Sequence, residues 1–305
     1  MTQKLLDVEN LTMKFGGLVA IDNLSFSTDK DQITSIIGPN GAGKSTTMKI
    51  ISCFIKPSNG EVLVDGDSIH RNEIRVKSKI GYLPENNPLY EDMYVRESIG
   101  FIAQMHQVKN WKTAVENVIE KVGLHKEAHK KIGQLSKGYQ QRVGIAQAIV
   151  HDPKVLILDE PTSGLDPNQL NEIRLLIKEL GKNKTVMLST HIMQEVESIC
   201  DRIVVINNGK IVADQNLEEK TNFKDFPREQ VLLVEFDQEL KINALKKSFP
   251  KTKIEQKDHF WIFSHMGKDD LRKTISKYAQ KNNILILEMK AHNDKLEDLF
   301  KKLTK

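Results

Sequence analysis

Residues 32–51 read QITSIIGPNGAGKSTTMKII, and this stretch decides the fold. Residues 32–37 form a β-branched run that predicts a strand, and residues 45–51 have a helical pattern. Where the two meet, residues 38–45 fit G-x-x-x-x-G-K-[ST], and Thr46 follows. A glycine-rich loop between a strand and a helix is the setting in which backbone N–H groups converge on a phosphate. The stretch therefore predicts a phosphate-binding loop in a parallel α/β sheet.

The side chains at the end of this loop indicate the kind of ligand that it takes. Lys44 is expected to reach the β- and γ-phosphates of a nucleoside triphosphate, and the Ser45 hydroxyl is expected to bind Mg²⁺. A glycine-rich turn without a ligand would explain the glycines, but not the Lys-Ser pair in a strand-to-helix setting. The predicted nucleotide contacts are Gly38, Pro39, Asn40, Gly41, Ala42, Gly43, Lys44, Ser45 and Thr46.

Two carboxylates follow the apolar run at residues 155–158, which has the continuous hydrophobicity of a strand covered on both faces. Such strands end at the sheet edge where ligands of open α/β sheets bind. Asp159 is expected to hold the metal, directly or through water. Glu160 is expected to orient the attacking water, and the alternative is that it only caps the next helix.

Other patterns before residue 220 extend this core. Residues 184–189 form a third apolar run, and short strands alternate with helical patterns as in βαβ units. Residues 61–66 and 203–212 carry hairpin-type turns, which predict an antiparallel β layer attached to the parallel core. Residues 95–131 have no strand signal and predict a helical lobe, at about residues 95–150. The expected fold class is an α/β P-loop fold with these two additions.

The composition changes after Asp214, and a second domain is predicted there. Residues 215–227 are polar and contain Pro227, as expected of a linker. The following elements have the order β-α-β-β-α-β, the ferredoxin-like arrangement, with a last helix capped near Asn293. The predicted strands are residues 231–236, 253–256, 260–264 and 284–289, and the predicted helices are residues 240–249 and 268–281. The chain thus divides into a domain at residues 1–220 and a small α+β domain at residues 221–305.

The composition of the 305 residues excludes several classes of protein. Hydrophobic residues make up 39% and charged residues 28%, as in globular proteins, so fibrous and disordered classes are excluded. No apolar run approaches the roughly 20 residues of a membrane-spanning helix, and the polar start lacks the apolar core of a signal peptide. Cys53 and Cys200 lie far apart without metal-ligand spacing, so reduced thiols are expected.

The net charge of +4 is distributed unevenly along the chain. From Arg228 to the end there are 17 lysine and arginine residues against 12 acidic ones, whereas the preceding residues have 28 against 29. A protein that binds nucleic acid concentrates enough basic charge on one face to neutralise about 6–10 phosphates. A small excess spread over a mixed-charge stretch does not require such a face, so no nucleic-acid partner is expected.

The motifs resemble, in their order, those of the ATP-binding subunits of ABC transporters. These motifs are the phosphate-binding loop, the helical lobe, LSKGYQQR at residues 135–142, the strand with two carboxylates at residues 155–160, SGLD at residues 163–166 and STH at residues 189–191. The resemblance covers about residues 3–220. Residues 80–97, IGYLPENNPLYEDMYVRE, also resemble the ABC-2 exporter branch and, within it, the gliding-motility-associated ATPases.

The resemblance implies roles for three further residues. Phe15 stands where the family has an aromatic ring that stacks on adenine, although a core position at the end of a strand explains it equally well. His191 matches the switch histidine, which contacts the γ-phosphate and helps to position Glu160, and the alternative is a structural histidine at a helix start. Asp166 matches a loop that crosses to the active site of a partner chain.

LSKGYQ resembles the LSGGQ signature, which in this family binds the γ-phosphate of ATP held by a second ATP-binding subunit. Ser136, the backbone at Gly138 and the helix start are therefore expected to complete a partner's site. A homodimer with two composite sites at a two-fold interface is the expected assembly. Lys137 and Tyr139 replace a glycine and the glutamine of that signature. Glu85 stands where the family usually has a glutamine near Mg²⁺, and a carboxylate also binds this hard cation.

The resemblance implies an Mg-dependent ATPase, with ATP and Mg²⁺ as cofactors, that powers export. Its expected partners are integral-membrane permease subunits, docked near Glu85 and the helical lobe. The expected location is cytoplasmic, peripheral on the inner face of the cell membrane through the permease. The alternative is a soluble ABC ATPase acting on ribosomes or nucleic acid, a class that usually carries paired ATPase units, long coiled coils or strongly basic arms.

Overall fold

The computed structural model describes residues 4–217, 229–238, 240–250, 252–257, 259–266 and 270–292. The chain divides into two compact units, with the division near residue 218. Most of the predicted linker, and all of the predicted last helix near Asn293, lie outside the described residues. No helix in the described ranges is long and apolar enough to cross a membrane.

The elements of the two units follow one another along the chain. In the first unit the strands are β1 (Lys4–Phe15), β2 (Leu18–Asp29), β3 (Ile33–Ile37), β4 (Asn59–Val64), β5 (Asp67–Ser68), β6 (Ile80–Leu83), β7 (Val155–Asp159), β8 (Thr185–Ser189), β9 (Arg202–Asn207) and β10 (Lys210–Asn216). Its helices are α1 (Lys44–Ile51), α2 (Glu73–Lys79), α3 (Val95–Met105), α4 (Trp111–Lys121), α5 (Lys137–Ile149), α6 (Pro167–Gly181) and α7 (Met193–Ile199), with a 3-10 turn at Ile132–Gln134. The second unit consists of β11 (Glu229–Phe236), α8 (Ile242–Ser248), β12 (Thr252–Lys257), β13 (Phe260–Met266), α9 (Leu271–Lys281) and β14 (Ile286–His292).

A six-stranded sheet with the order β10-β9-β3-β8-β7-β6 forms the centre of the first unit. Its neighbouring strands pair in parallel, except that β10 is antiparallel to β9. Every residue of β3, β7 and β8 is buried, as their continuous apolar sequences predict. The parallel α/β core is thus confirmed, and it brings the ends of β3, β7 and β8 to one edge.

A second, four-stranded sheet with the order β2-β1-β4-β5 forms the antiparallel layer. Residues 61–64 lie in β4, as predicted, but the placement of residues 203–212 in this layer is wrong. They form the β9–β10 hairpin, and β9 pairs in parallel with β3. Asn208 and Gly209 have positive φ angles of 49° and 74°, which mark a tight hairpin turn but do not decide which sheet the strands join. The fully buried run at residues 203–206 is the signal for the parallel core.

The helical lobe contains α3 and α4, which confirms the prediction of a strand-free segment. These two helices pack closely, since a Cβ atom at Gly100 would lie 3.1 Å from the ring of Trp111. The Gln147 side chain of α5 donates to the Ser98 hydroxyl of α3 at 2.7 Å. The lobe is therefore joined to α5, the helix that begins in the LSKGYQQR motif.

The second unit has one four-stranded sheet, with the order β12-β13-β11-β14. Its described elements follow the predicted order β-α-β-β-α-β. Leu245 of α8 and Ile275 of α9 are fully buried in a cluster with Val234 of β11 and Phe263 of β13. Both helices therefore cover the same face of this sheet. The residues that alternate with the buried ones along each strand point to the other face.

Candidate functional site

The loop between β3 and α1 has room only for glycine at its two ends. A Cβ atom at Gly38 would lie 2.2 Å from the carbonyl oxygen of Ile206, and one at Gly43 would lie 2.8 Å from that of Ala20. Gly43 also has a φ of 108°, which other residues rarely adopt. The chain between these glycines, residues 39–42, therefore curls tightly into the first turn of α1. The first N–H groups of a helix have no acceptor within it, so this curl fits a phosphate group.

Lys44 lies inside the curled loop. Its side chain is buried, and the ammonium group donates to the carbonyl oxygens of Gly38 at 2.9 Å and Pro39 at 3.1 Å. Charge-assisted hydrogen bonds to an anion are stronger than those to a neutral carbonyl, so a phosphate oxygen is a better partner for this group. Ser45 and Thr46 follow in the same turn and are both partly exposed. The loop thus fits the triphosphate that its sequence predicted.

Asp159, at the end of β7, lies between two hydroxyl groups. Its Oδ1 atom accepts hydrogen bonds from Ser45 at 3.2 Å and from Ser189 at 2.6 Å, and its side chain is buried. A serine hydroxyl beside a carboxylate offers the oxygen ligands that Mg²⁺ prefers. The described residues contain no cluster of three or more His, Cys, Asp or Glu that could hold a metal. The site therefore fits Mg²⁺ bound through one carboxylate, one hydroxyl and substrate phosphates.

Glu160 and His191 meet beside Asp159. The Oε2 atom of Glu160 lies 2.8 Å from Nδ1 of His191, and the backbone N–H of Glu160 donates to the Ser189 hydroxyl at 2.9 Å. Glu160 has a φ of 49°, an uncommon conformation for a residue with a side chain. Burial raises the pKa of Glu160, and His191 and Lys44 offset part of that rise. These contacts support a base role rather than the alternative of a simple helix cap.

Ser189 and Glu195 belong to the site, although sequence analysis assigned no separate role to either. The Ser189 hydroxyl donates to the Asp159 carboxylate and accepts from the backbone N–H of Glu160. Ser189 is close to both because it is the direct partner of Asp159 in the β7–β8 register. Glu195 is buried in α7 and accepts from the Thr190 hydroxyl at 2.6 Å, with Arg174 at 3.5 Å from its other oxygen. The sequence gives no signal for Glu195, because its burial becomes visible only in the structure. Glu195 fixes the turn from which His191 projects.

Phe15 and Glu85 lie on exposed parts of the chain. Phe15 ends β1 with 50% of its surface exposed, which argues against the core position left open by the sequence. Glu85 is exposed in the loop after β6, and Asn87 of the same loop donates to the backbone carbonyl of Gln140 at 2.9 Å. The negative charges of Asp159 and Glu85 both contribute to a raised pKa of Tyr82, after the larger effect of its burial.

Ser136 and Asp166 are exposed on a separate surface, and Gly138 is buried beside them. Ser136 is exposed at the start of α5, and its hydroxyl accepts from the Gln169 side chain at 3.4 Å. A Cβ atom at Gly138 would lie 2.5 Å from the same side chain. Asp166 caps α6 by accepting from the N–H groups of Asn168 and Gln169, so its described role is structural. The described contacts of this surface run to α6 and not to the phosphate-binding loop.

Comparison with known proteins gives one consistent result. Residues 21–163 match the family described as ABC transporter. The bacitracin transport ATP-binding protein BcrA of Bacillus licheniformis is 32% identical over 306 residues, which cover 98% of this chain and 97% of that protein. The lantibiotic transport ATP-binding protein SrtF of Streptococcus pyogenes is 34% identical over 229 residues, which cover 75% of this chain and 98% of that protein.

A solved structure extends the likeness to three dimensions. It is the dimeric post-hydrolysis state of the ATP-binding cassette MJ0796, bound to ADP and Pi. It is 28% identical and superposes with a TM-score of 0.64, covering 70% of this chain and 98% of that one. The relatives and the solved structure thus both agree with a phosphate-binding site at the sheet edge where β3, β7 and β8 end. The chain belongs to the family of ABC transporter ATP-binding proteins.

Proposed function

We propose that this chain binds ATP with Mg²⁺ at the edge formed by β3, β7 and β8, and hydrolyses the γ-phosphate. The observation that carries this proposal is that Ser45, Asp159, Ser189, Glu160 and His191 form one continuous chain of hydrogen bonds. This series of hydrogen bonds begins in the phosphate-binding loop and ends at His191, which contacts the partly buried carboxylate of Glu160. A base held beside a phosphate cradle is the arrangement that hydrolysis requires.

The residues of this hydrogen-bonded series and of the loop beside it have distinct roles. Lys44 and the loop N–H groups hold the β- and γ-phosphates, and Ser45 and Asp159 hold Mg²⁺, with Glu85 as a further oxygen ligand. When bound, the metal neutralises charge on the phosphate oxygens. Glu160 orients a water molecule and accepts its proton, since burial favours proton uptake by this carboxylate. His191 orients Glu160, and Phe15 offers an exposed ring for the adenine base.

The surface around Ser136 serves the site of a second copy. Ser136 and Gly138 lie at a helix start, where a negative charge is stabilised, and the described contacts of this helix start do not run to the chain's own loop. Asp166 lies near Ser136, because Gln169 donates its backbone N–H to Asp166 and its side-chain amide to Ser136. The known dimer of a related cassette with ADP and Pi supports a paired arrangement. Two ATP molecules thus lie between two copies of the chain.

The two copies contact permease subunits, which are separate membrane proteins driven by ATP hydrolysis. Tyr90, Tyr94, Phe101 and Met105 each expose 46% or more of their surface, and all lie in or beside the helical lobe. Exposed apolar groups of this kind mark contact surfaces for other proteins. Relatives named for bacitracin and lantibiotic transport support the export of antibiotics, and the ABC-2 type rests on the resemblance of residues 80–97. The chain then lies on the cytoplasmic side of the membrane, and the gliding-motility likeness stays a prediction.

Capture from detergent extracts tests the permease contact. The tagged chain is expected to bring down an integral-membrane protein, and the Phe101→Glu variant is expected to lose it because a charge replaces an apolar contact. Leu175→Glu is the matched control, since Leu175 is an exposed apolar residue on α6, outside the lobe. Capture of ribosomes or nucleic acid in place of a membrane protein would support the alternative function.

The pH dependence of hydrolysis tests the coupling of Glu160 to His191. Hydrolysis is lost as the pH falls through the pKa of Glu160, because a protonated carboxyl group accepts no proton. Burial raises this pKa and His191 lowers it. The His191→Ala variant is therefore expected to be less active and to lose activity at a higher pH than the unchanged chain. Phosphate release is measured along the acid side of the profile, with the exposed His129→Ala as control. An unmoved acid limb would contradict the coupling.

A further inference from the structure

The face of the second unit's sheet that α8 and α9 leave uncovered has a definite composition. Val234 and its cross-strand partner Trp261 are buried on the helix side. Because successive residues of a strand point to opposite faces, Leu233 and its partner Ile262 lie on the other side. We call that side the open face. Leu233 and Ile262 are both only partly buried there.

The strand register arranges the open face in rows across the sheet. In the central row, Glu255 pairs with Ile262, Ile262 with Leu233, and Leu233 with Lys290. This row runs from a carboxylate on one edge strand, through two apolar side chains, to an ammonium group on the other edge strand. The open face is thus asymmetric in charge along its central row.

The next row has the opposite polarity. Lys257 pairs with Phe260 on one side, and Glu235 pairs with Glu288 on the other. Glu235 and Phe260 are the chain neighbours of Val234 and Trp261, the last pair of the β11–β13 register. This row runs from an ammonium group, through an aromatic ring, to two carboxylates. Together the two rows form a charge pattern that reverses from one row to the next.

The described contacts of Glu255 and Lys290 include exposed local ion pairs, and the Lys290 ammonium group also lies 5.9 Å from the centre of the Phe260 ring. Glu255 contacts Lys253 at 2.7 Å, and Lys290 contacts Glu288 at 2.6 Å, each within one strand. Both partners of each pair retain 37% or more of their side-chain surface in solvent. Ion pairs at such positions contribute little to stability, so these groups can also take partners from another molecule.

We propose that the open face binds the open face of a second copy, with the two-fold axis parallel to the strands. Such a rotation sets each row against itself in reverse order. Glu255 then lies opposite the partner's Lys290, and Ile262 lies opposite the partner's Leu233. In the next row, Lys257 lies opposite the partner's Glu288. The two contacts between Ile262 and Leu233 in the central row are thus flanked by two ion pairs between Glu255 and Lys290.

The charge pattern opposes a two-fold axis that is perpendicular to the strands and crosses the central row. An axis perpendicular to the strands would set every strand against itself. Glu255 would then face the partner's Glu255, and Lys290 would face the partner's Lys290, and like charges in contact oppose association. Sheets stack about 10 Å apart with their strands nearly aligned, a spacing that Glu and Lys side chains from both sides can bridge. A perpendicular axis between the two rows would also pair opposite charges, with Glu255 against the partner's Lys257 and Lys290 against the partner's Glu288. Only the parallel axis predicts that a mixture of the Glu255 and Lys290 charge-reversal variants regains association.

This contact goes beyond the nucleotide-dependent dimer and needs no ATP. The open face is small, so its affinity alone is modest. A second contact between two chains that already meet through their first units raises their effective concentration. The function of the second unit is thus to hold two copies together while the nucleotide sites open.

Charge reversal in the full-length chain without nucleotide tests the proposal. Sedimentation equilibrium is expected to show a dimer, and Glu255→Lys or Lys290→Glu alone is expected to weaken it at least about ten-fold by opposing like charges. An equimolar mixture of the two variants is expected to associate again, because each reversed residue then meets its opposite. Lys277→Glu, at an exposed position on α9, is the matched control.

The mixture separates a lost contact from a damaged fold, since misfolded chains would not regain association. The proposal would be overturned if the unchanged chain is monomeric at high concentration. It would also be overturned if either variant alone associates as strongly as the unchanged chain, or if the mixture does not recover. No nucleotide is present, so that result would leave the ATP-dependent dimer to its own test.

Discussion

The Glu160→Gln variant is expected to bind ATP like the unchanged chain and to hydrolyse it at least about a hundred-fold more slowly. Glutamine keeps the size of the side chain and can still form a hydrogen bond with His191, but its amide accepts no proton from water. The backbone contact of residue 160 with Ser189 does not depend on the side chain. Phosphate release at saturating ATP and Mg²⁺ measures hydrolysis, and equilibrium dialysis measures ATP binding.

Glu197→Gln is the matched control for this loss, because Glu197 is exposed on α7 of the same unit. Its hydrolysis is expected to equal that of the unchanged chain. Near-normal turnover of the Glu160→Gln variant would assign the proton to another group. Loss of ATP binding would mean that the carboxylate belongs to the cradle itself, and the proposed division of tasks would then fail.

The phosphate-binding edge was predictable because its determinants are local. Gly43 needs a positive φ within its own loop, and Lys44 reaches the carbonyls of that same loop. The strand before Asp159 is marked by continuous hydrophobicity, which follows from burial on both faces. A short window of sequence contains each of these signals. The parallel topology then brings Asp159 to the loop without further information.

The features that sequence reasoning missed depend on contacts between distant segments. Residues 203–212 contain the signal for a hairpin, but only the pairing of β9 with β3 decides which sheet the hairpin joins. The role of Ser189 depends on its register with Asp159. Glu195 reads as one more surface glutamate of an amphipathic helix until its burial against Thr190 and Arg174 is known.

The predicted contact of Ser136 with a partner's ATP cannot be seen in one chain. It can be tested by placing two substitutions in dimers assembled from differently tagged chains. Lys44→Ala removes the phosphate-binding ammonium group of a chain's own loop. Ser136→Glu puts a negative charge on the exposed helix start that is proposed to face the partner's phosphates. Each substitution thus disables a different half of a composite site.

The distribution of these two substitutions decides the expected activity. With one substitution on each chain, both fall in the same composite site and the other site is unchanged. Such dimers are expected to retain up to about half of the normal phosphate release. With both substitutions on one chain and none on the other, each site carries one change, and release is expected to fall to about a hundredth or less.

The opposite ranking follows if each chain hydrolyses ATP alone, with its own loop and its own Ser136. The unchanged chain of the second dimer would then keep its full activity, whereas both chains of the first dimer would be inactive. Lys126→Ala, at an exposed position away from both motifs, serves in either dimer as the control for assembly and tagging. Because the two dimers contain the same two substitutions, folding defects affect both equally. Only the pairing of the loop of one chain with Ser136 of the other explains a higher activity of the first dimer.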